Sequence, residues 1–371
     1  MKSPLQLLIL GLLLRLGILA YILIKDPSIV LANTDALSFF LAASDVAKSG
    51  VWLDFEIGWK PYVNIMGSMM GVVGESFVFM DGFSIVGWFA TALIIDKILV
   101  SIEAPQSLRF LTAAIYSFWP SIVFVTILPL REPFQMLGIA LMAMAMIQIA
   151  AYRRLNYWLL VILGACISGF THVAMAAGVL SLILAIFLYE GRLRRSPRGV
   201  VKLAFAAALG AIFFSVFLGI LASKSVDTSG GVLAAVEDFQ ETGISLDARA
   251  QYKSEAPDMS GIGGIVSIGT GFIQYMTEPM PWKIRSVGDL SVFIENMFRL
   301  VLLYMAFRNL TNNNAAKSAT ALIFLVAYLF IELLWSAGTV NWGTALRHHA
   351  PAMPLLLIAA FIANPFRKLQ Y

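Results

Sequence analysis

Apolar runs of transmembrane length alternate with short polar breaks along most of the chain. They fall near 4–24, 61–79, 82–100, 108–129, 133–151, 156–171, 173–189, 201–223, 291–308, 319–338 and 350–364. Runs of about twenty apolar residues suit a helix crossing a bilayer. The run at 61–79 is the exception. Gly67, Gly71 and Gly74 interrupt it, and glycine weakens a helix interior. Charge placement, described below, also puts both of its ends on one side. It is expected to lie along the membrane. The pattern predicts an all-α polytopic membrane helical bundle, a single integral membrane domain over 1–371. It has about ten transmembrane helices, with amphipathic juxtamembrane helices after the first span.

Composition agrees with that pattern. The chain is 59% hydrophobic and 13% charged, with mean hydropathy +0.82, against about half apolar and a quarter charged for soluble domains. Its single cysteine, Cys166, rules out an internal disulfide. No nucleotide-binding glycine loop, zinc-ligand spacing or nucleic-acid motif is present, and no nucleic-acid partner is expected. Lys2 with Leu5–Ile24 and Val30-Leu31-Ala32 has the outline of a signal peptide. The length of the run favours an uncleaved first helix.

Lys and Arg near span ends prefer the cytoplasm. Arg153-Arg154, the stretch "GRLRRSPRGVVK" at 191–202, Arg308 with Lys317, and Arg367-Lys368 mark that side. Residues 25–81 then form an external loop carrying juxtamembrane helices, and 224–290 a second, large external loop. The second loop holds nine acidic and five basic residues, and its Gly/Ser-rich centre "SGIGGIVSIGTG" reads as a flexible or substrate-contacting loop. The same orientation gathers Asp35, Asp54, Glu56, Lys60, Asp81, Arg131, Glu132, His172, Glu278, Lys283, Arg285, Arg347, His348 and His349 on the external side. Such one-sided chemistry suits an enzyme acting on a lipid-borne substrate. A conduit would need polar groups through its depth, and apart from Arg15 few are visible. Arg15 falls in mid-span and needs a partner inside the bundle.

Arg131-Glu132-Pro133 opens a helix. Proline suits the first turn and glutamate suits the positive end of the dipole, but Arg131 opposes that dipole. A cation beside free helix N–H groups makes an anion site; a structural contact of Arg131 with Glu132 or a lipid headgroup is the other reading. Asp35 begins "DALSFFLAASDVAKSG", with Leu37, Phe40, Leu41 and Ser44 at helical spacing. It is a helix cap or a general base at the interface. His172, where two spans meet, is either structural or a site residue. In "NWGTALRHHAP", Asn341 and Gly343 suit a tight turn. Arg347 suits phosphate, and Arg347, His348 and His349 must point in different directions. Adjacent histidines suit a metal poorly. Trp282 reads as an interface anchor.

The order of first span, external Asp35, amphipathic segment, "GWKPYVNIMGSMMGVVGESF", second span and "IYSFWPSIVFVTILPLREPF" resembles the GT-C superfamily of polytopic glycosyltransferases. The likeness is to the bacterial relatives of protein mannosyltransferases and of the lipid A aminoarabinose transferase, over roughly residues 1–190. It implies a polyprenyl-phosphate sugar donor, a glycan or lipid acceptor, and an active face outside the bacterial inner membrane. It implies Asp35 as the catalytic acid-base residue, and juxtamembrane helices at 36–49 and 61–78. Arg131, Glu132, His172, Arg347 and His348 are the expected phosphate- and donor-binding residues. No cofactor follows, although some of these enzymes require a divalent metal. Asp35-Ala36 replaces the Asp-Glu pair of the protein mannosyltransferases, so a protein acceptor is not implied. Competing expectations are an O-antigen or exopolysaccharide polymerase, a lipid-linked sugar flippase or transporter, and a non-catalytic assembly subunit.

Overall fold

A computed structural model describes residues 3–25, 34–54, 56, 58–150, 152, 154–172, 175, 182–183, 237–238, 240–241, 244, 250–253 and 261–363. Most of the expected spans at 173–189 and 201–223, the basic stretch 191–202 and the tail beyond 363 lie outside the described residues. What is described is helical, with one isolated antiparallel bridge between Gln251 and Asn341.

The helices in chain order are α1 (Pro4–Lys25), α2 (Thr34–Ser49), α3 (Lys60–Val73), α4 (Phe77–Ser101), α5 (Gln106–Phe118), α6 (Pro120–Thr126) and α7 (Glu132–Ala150). After them come α8 (Trp158–Thr171), α9 (Gly261–Thr277), α10 (Val287–Asn309), α11 (Ala315–Gly338), α12 (Trp342–His348) and α13 (Met353–Phe361). Among the described residues α1, α4, α7, α10 and α11 are long and apolar enough to cross a membrane. The pair α5–α6, bent by 56°, makes a sixth if it is one span. The chain is therefore a helical membrane protein, with five or six such helices described. The expected spans at 156–171 and 350–364 appear as the shorter α8 and α13. α13 is nine residues long, every one buried, and packs on α10, α11 and α7.

Small residues set the closest crossing. A Cβ on Gly138 of α7 would sit 2.6 Å from the Gly164 carbonyl of α8, and one on Gly164 would sit 2.5 Å from the Gly138 carbonyl. Such contacts favour helix association where lipid removes the hydrophobic drive. The glycines of "NIMGSMMGVVG" act similarly. Gly67 does not break α3; a Cβ there would meet the Ala43 carbonyl of α2 at 2.6 Å. Gly74 ends α3 with φ +97°, a conformation that suits glycine. α2 and α3 thus pack as a hairpin, and neither qualifies as a membrane span. The buried face of α2 is shifted from the expected one: Ala36, Phe39, Ala43 and Val46 are buried with the expected Ser44, Phe40 packs partly on the core, and Leu41 points outward.

Two further expectations are corrected. "SGIGGIVSIGTG" is not a flexible loop; from Gly261 it forms most of α9, which packs on α11 and α10. Ile and Val between the glycines make the segment apolar enough for a helix at a bundle surface, with Val266 and Ile273 facing outward and Tyr275 and Met276 buried. Asn341 does not make a tight turn; its side chain accepts from Thr344 N at 2.7 Å and caps α12.

The break between α5 and α6 explains Arg15. Pro120 has no N–H and starts α6, so the 56° bend inside the bundle leaves backbone groups to satisfy. Arg15 Nη1 donates to the Ser117 carbonyl at 2.9 Å, and its Nε donates to Thr126 Oγ1 at 2.8 Å. Its guanidinium carbon lies 3.6 Å from the centre of the Trp88 ring. On the other half of the break, the Ser121 N–H donates to Glu295 Oε1 at 2.8 Å. A cation meets the carbonyl end of α5 and an anion the N–H end of α6, as helix dipoles require.

Candidate functional site

The start of α2, the start of α7, the end of α8 and α12 meet at one end of the bundle. The buried guanidinium of Arg347 joins them. Its Nη1 donates to Asp35 Oδ2 at 2.6 Å, while Nε and Nη2 donate to Glu132 Oε1 at 3.0 and 2.6 Å. Residues 312 and 215 positions away in sequence thus share one cation. Side-chain exposure grades outward, from 5% for Glu132 through 16% for Arg347 to 50% for Asp35. Glu132 is the enclosed counter-ion and Asp35 the one open to the surface. Burial opposes the charge on Arg347, but the two carboxylates outweigh it and raise its pKa above the ordinary arginine value.

Arg131 sits beside this triad. Its Nη1 donates to the Thr171 carbonyl at 2.9 Å, fastening the end of α8 to the start of α7. Its guanidinium lies 5.6 Å from the Phe39 ring of α2. Burial lowers its pKa and Arg347 adds to that, while Glu132 and Asp35 act against it. Its Nε and Glu132 Oε2 are buried without a partner among the described residues. Two guanidiniums and two carboxylates make this core of the site electrically balanced.

Arg347, His348 and His349 diverge. His348 Nδ1 lies 2.8 Å from Thr339 Oγ1, and its ring stacks on Trp335 at 3.8 Å. His172 packs on the other part of that indole at 4.4 Å, with the two imidazoles 6.3 Å apart. Burial first, then Arg347 and Arg131, push His348 well below the usual imidazole range. His349 points elsewhere, with Nδ1 2.6 Å from Glu332 Oε2. Among the described residues no group of three or more His, Cys, Asp or Glu side chains is placed to hold a metal ion.

The structure therefore brings Asp35, Arg131, Glu132 and Arg347 together, with His172 and His348 on the adjoining aromatic wall. Glu132 stands in a different relation from the one expected: it holds Arg347 and so opposes an anion. Sequence reasoning missed Trp335, Thr339 and Phe39, whose apolar surroundings give no signal. It also gave Asp81 no role beyond a place on the external side. Asp81 is fully buried in the first turns of α4, and both carboxylate oxygens lack a partner among the described residues. Trp282, by contrast, is 77% exposed at this end of the bundle.

The opposite end has different chemistry. Asp96 and Arg109 form a two-pronged pair there, both bonds 2.8 Å. A cleft of about 180 Å³ lies among Ser101, Glu103, Tyr152, Asn314 and Lys317, away from the Arg347 cluster. No family model matches the sequence, and neither a curated protein nor a solved structure is similar to it.

Proposed function

We propose that the chain is a membrane glycosyltransferase. It moves a sugar from a polyprenyl-phosphate donor to a lipid-linked or cell-envelope glycan acceptor, on the outer face of a bacterial plasma membrane. In this reading α8, α13 and the segments 173–189 and 201–223 complete a bundle of about ten spans. The observation that carries the proposal is the sharing of Arg347 between enclosed Glu132 and half-open Asp35, with Arg131 alongside.

The chemistry follows from charge. The acceptor oxygen bonds to the anomeric carbon as the carbon–oxygen bond to phosphate breaks. The phosphate leaves with the bonding electrons, and Asp35 takes the acceptor hydroxyl proton. Negative charge grows on the leaving phosphate, where fixed cations are most effective. Arg131 is the cation with an uncommitted donor, and Arg347 can exchange Asp35 for phosphate while Glu132 keeps it in place. Exchange frees the carboxylate that the acceptor needs. Placement at the end of the bundle lets a prenyl tail remain in lipid.

Asp35→Asn and Arg131→Ala, assayed in membranes with a polyprenyl-phosphate sugar, test the roles. About a hundredfold loss of transfer is expected for each. Wild-type transfer by both at normal protein level would remove the proposal. Product length separates a single-sugar transferase from a polymerase, which makes ladders.

A second reading, a lipid-linked sugar flippase, draws on a specific observation. Glu295, Asn296 and Arg299 of α10 and Glu332 of α11 are buried within candidate spans, where the sequence had shown few polar groups apart from Arg15. Glu295 is engaged at the helix break, which leaves Arg299 and Glu332 for such a role. Movement of the lipid-linked sugar across vesicles without a new glycosidic bond would favour this reading.

A further inference from the structure

The cleft at the far end of the bundle lies between the α4–α5 turn, the end of α7, the first turns of α11 and Ile362, just beyond α13. Its space of about 180 Å³ far exceeds the ~10–15 Å³ that a single water needs. Ile102, Ile147 and Ile362 give it a partly apolar lining. The two ends of the bundle therefore differ: the Arg347 cluster is filled by its own ion pairs, and this end holds open space.

The polar groups of the lining sort by what they have left to offer. The carbonyls of the turn are occupied. Ser101 accepts from the Tyr152 hydroxyl, and Glu103 accepts from Lys317 Nζ at 3.1 Å. The Thr320 hydroxyl donates to the Ala316 carbonyl at 2.7 Å. Asn314 caps α11, its side-chain oxygen accepting from Ala316 N and Lys317 N, both at 3.1 Å. The first N–H groups of α11 are thereby satisfied and add nothing to a ligand. With both lone pairs of that oxygen engaged, the Asn314 amide has only its NH2 protons to give. An ammonium has three protons, and Lys317 meets a carbonyl with one of them rather than a carboxylate. What is left over beside the cleft is donor in kind and positive in charge.

The surrounding charge has the same sign. Among the described residues this end carries Lys97, Arg109, Arg154, Arg308 and Lys317 against Asp96 and Glu103. Arg109 is matched by Asp96. The exposed Glu103 carboxylate offsets one further cation, and Arg154, 6.0 Å from the Tyr152 ring, adds one beside the cleft. A cation would meet like charge here. A small free anion would leave the isoleucines wet. An anionic phospholipid suits both halves of the lining, with phosphate for the donors and glycerol with its first acyl carbons for the apolar groups. Placement of the basic residues assigns this end to the cytoplasm, and anionic lipids are concentrated in that leaflet.

We propose that the cleft binds the headgroup of an anionic phospholipid of the cytoplasmic leaflet. Lys317 and the Asn314 amide hold its phosphate, and Ile102 and Ile362 cover its glycerol end. The site uses no residue of the Arg347 cluster, and it stands whether or not the chain transfers sugar.

The full chain in non-ionic detergent can be titrated with phosphatidylglycerol or with phosphatidylcholine of the same acyl chains, and bound lipid counted by native mass spectrometry. Preferential retention of phosphatidylglycerol is expected. Lys317→Glu should weaken it about tenfold and leave phosphatidylcholine unchanged. Ala316→Trp should fill the cleft and weaken retention without a change of charge. Lys97→Glu makes the same charge change at the same end but off the lining, and should alter affinity by less than about twofold. All three positions are at least partly exposed, so the variants keep the fold. Equal losses in Lys97→Glu and Lys317→Glu would reduce the effect to surface charge and overturn the cleft. Equal retention of the two lipids, or wild-type retention by Ala316→Trp, would overturn it too. Displacement of the lipid by millimolar inorganic phosphate would make the occupant a free anion and end the lipid assignment.

Discussion

The break between α5 and α6 and the Arg347 triad use the same residue types for different ends. At the break, Arg15 and Glu295 meet backbone groups: the Ser117 carbonyl and the Ser121 N–H. Both are buried, and their contacts close gaps that the fold itself opens. In the triad, Arg347 meets Asp35 and Glu132, and one member is half exposed. A charge that answers a break in the backbone is committed to structure; Arg131 stands between the two cases, its Nη1 on the Thr171 carbonyl and its Nε without a partner among the described residues. A charge that answers another side chain can be exchanged for a ligand's charge. The difference between the regions is the difference between a repair and a site.

Four measurements would break or sharpen that comparison. The largest effect is expected at the break. Arg15→Leu leaves the Ser117 carbonyl unpaired and the Trp88 face uncovered, at a cost of about 3–5 kcal/mol. Loss of monodisperse protein and a lower unfolding temperature in detergent would register it; unchanged stability would make Arg15 an exchangeable charge after all. Gly138→Ala should come next. Its methyl group would lie 2.6 Å from the Gly164 carbonyl, and forcing α7 from α8 should cost about 1–3 kcal/mol, measured the same way.

Asp35→Asn should cost less than about 1 kcal/mol of stability, since its side chain is half exposed, yet lower sugar transfer about a hundredfold. A large fall in unfolding temperature would move Asp35 into the structural class with Arg15. The smallest effect is a pH dependence from His348. Its folded-state pKa is depressed by burial and by Arg347 and Arg131, so the unfolded chain binds the proton more readily. The neutral ring's contribution is therefore present above the unfolded value of about 6.5 and is lost as pH falls below it. Wild-type unfolding temperature should drop between pH 7.5 and pH 5, and by less in His348→Gln. Parallel curves for the two proteins would remove His348 from this account.

Legibility in the sequence followed the range of the interaction. Helices α1, α4, α7, α10 and α11 announce themselves by apolar length, and Asp35, Arg131, Glu132 and Arg347 stand out as charges at the ends of apolar runs. What the sequence does not contain is their pairing. Nothing local says that Arg347 reaches residues more than two hundred positions earlier, or that Glu132 serves as its counter-ion. Arg15 was visible as an anomaly, but its partners are a carbonyl and a hydroxyl exposed by a break at Trp119-Pro120 that hydropathy smooths over. Glycine misled twice. Gly67 marks close helix contact, and the glycines of α9 sit inside a helix, where composition alone reads weakness or flexibility. The burial of Asp81 in the first turns of α4 was not legible, because position near a span end does not say which way a side chain packs.

Arg15 also bears on how the protein is made. The first helix emerges from the ribosome about a hundred residues before Trp88, Ser117 and Thr126 are all available to receive its guanidinium. Until then a newly inserted α1 carries a bare positive charge in its middle, which lipid disfavours. The nascent helix must therefore wait beside the insertion machinery, or sit displaced toward a headgroup layer, until α5 and α6 arrive. Assembly of this bundle is thus ordered by a debt that its first segment contracts and its sixth helix settles.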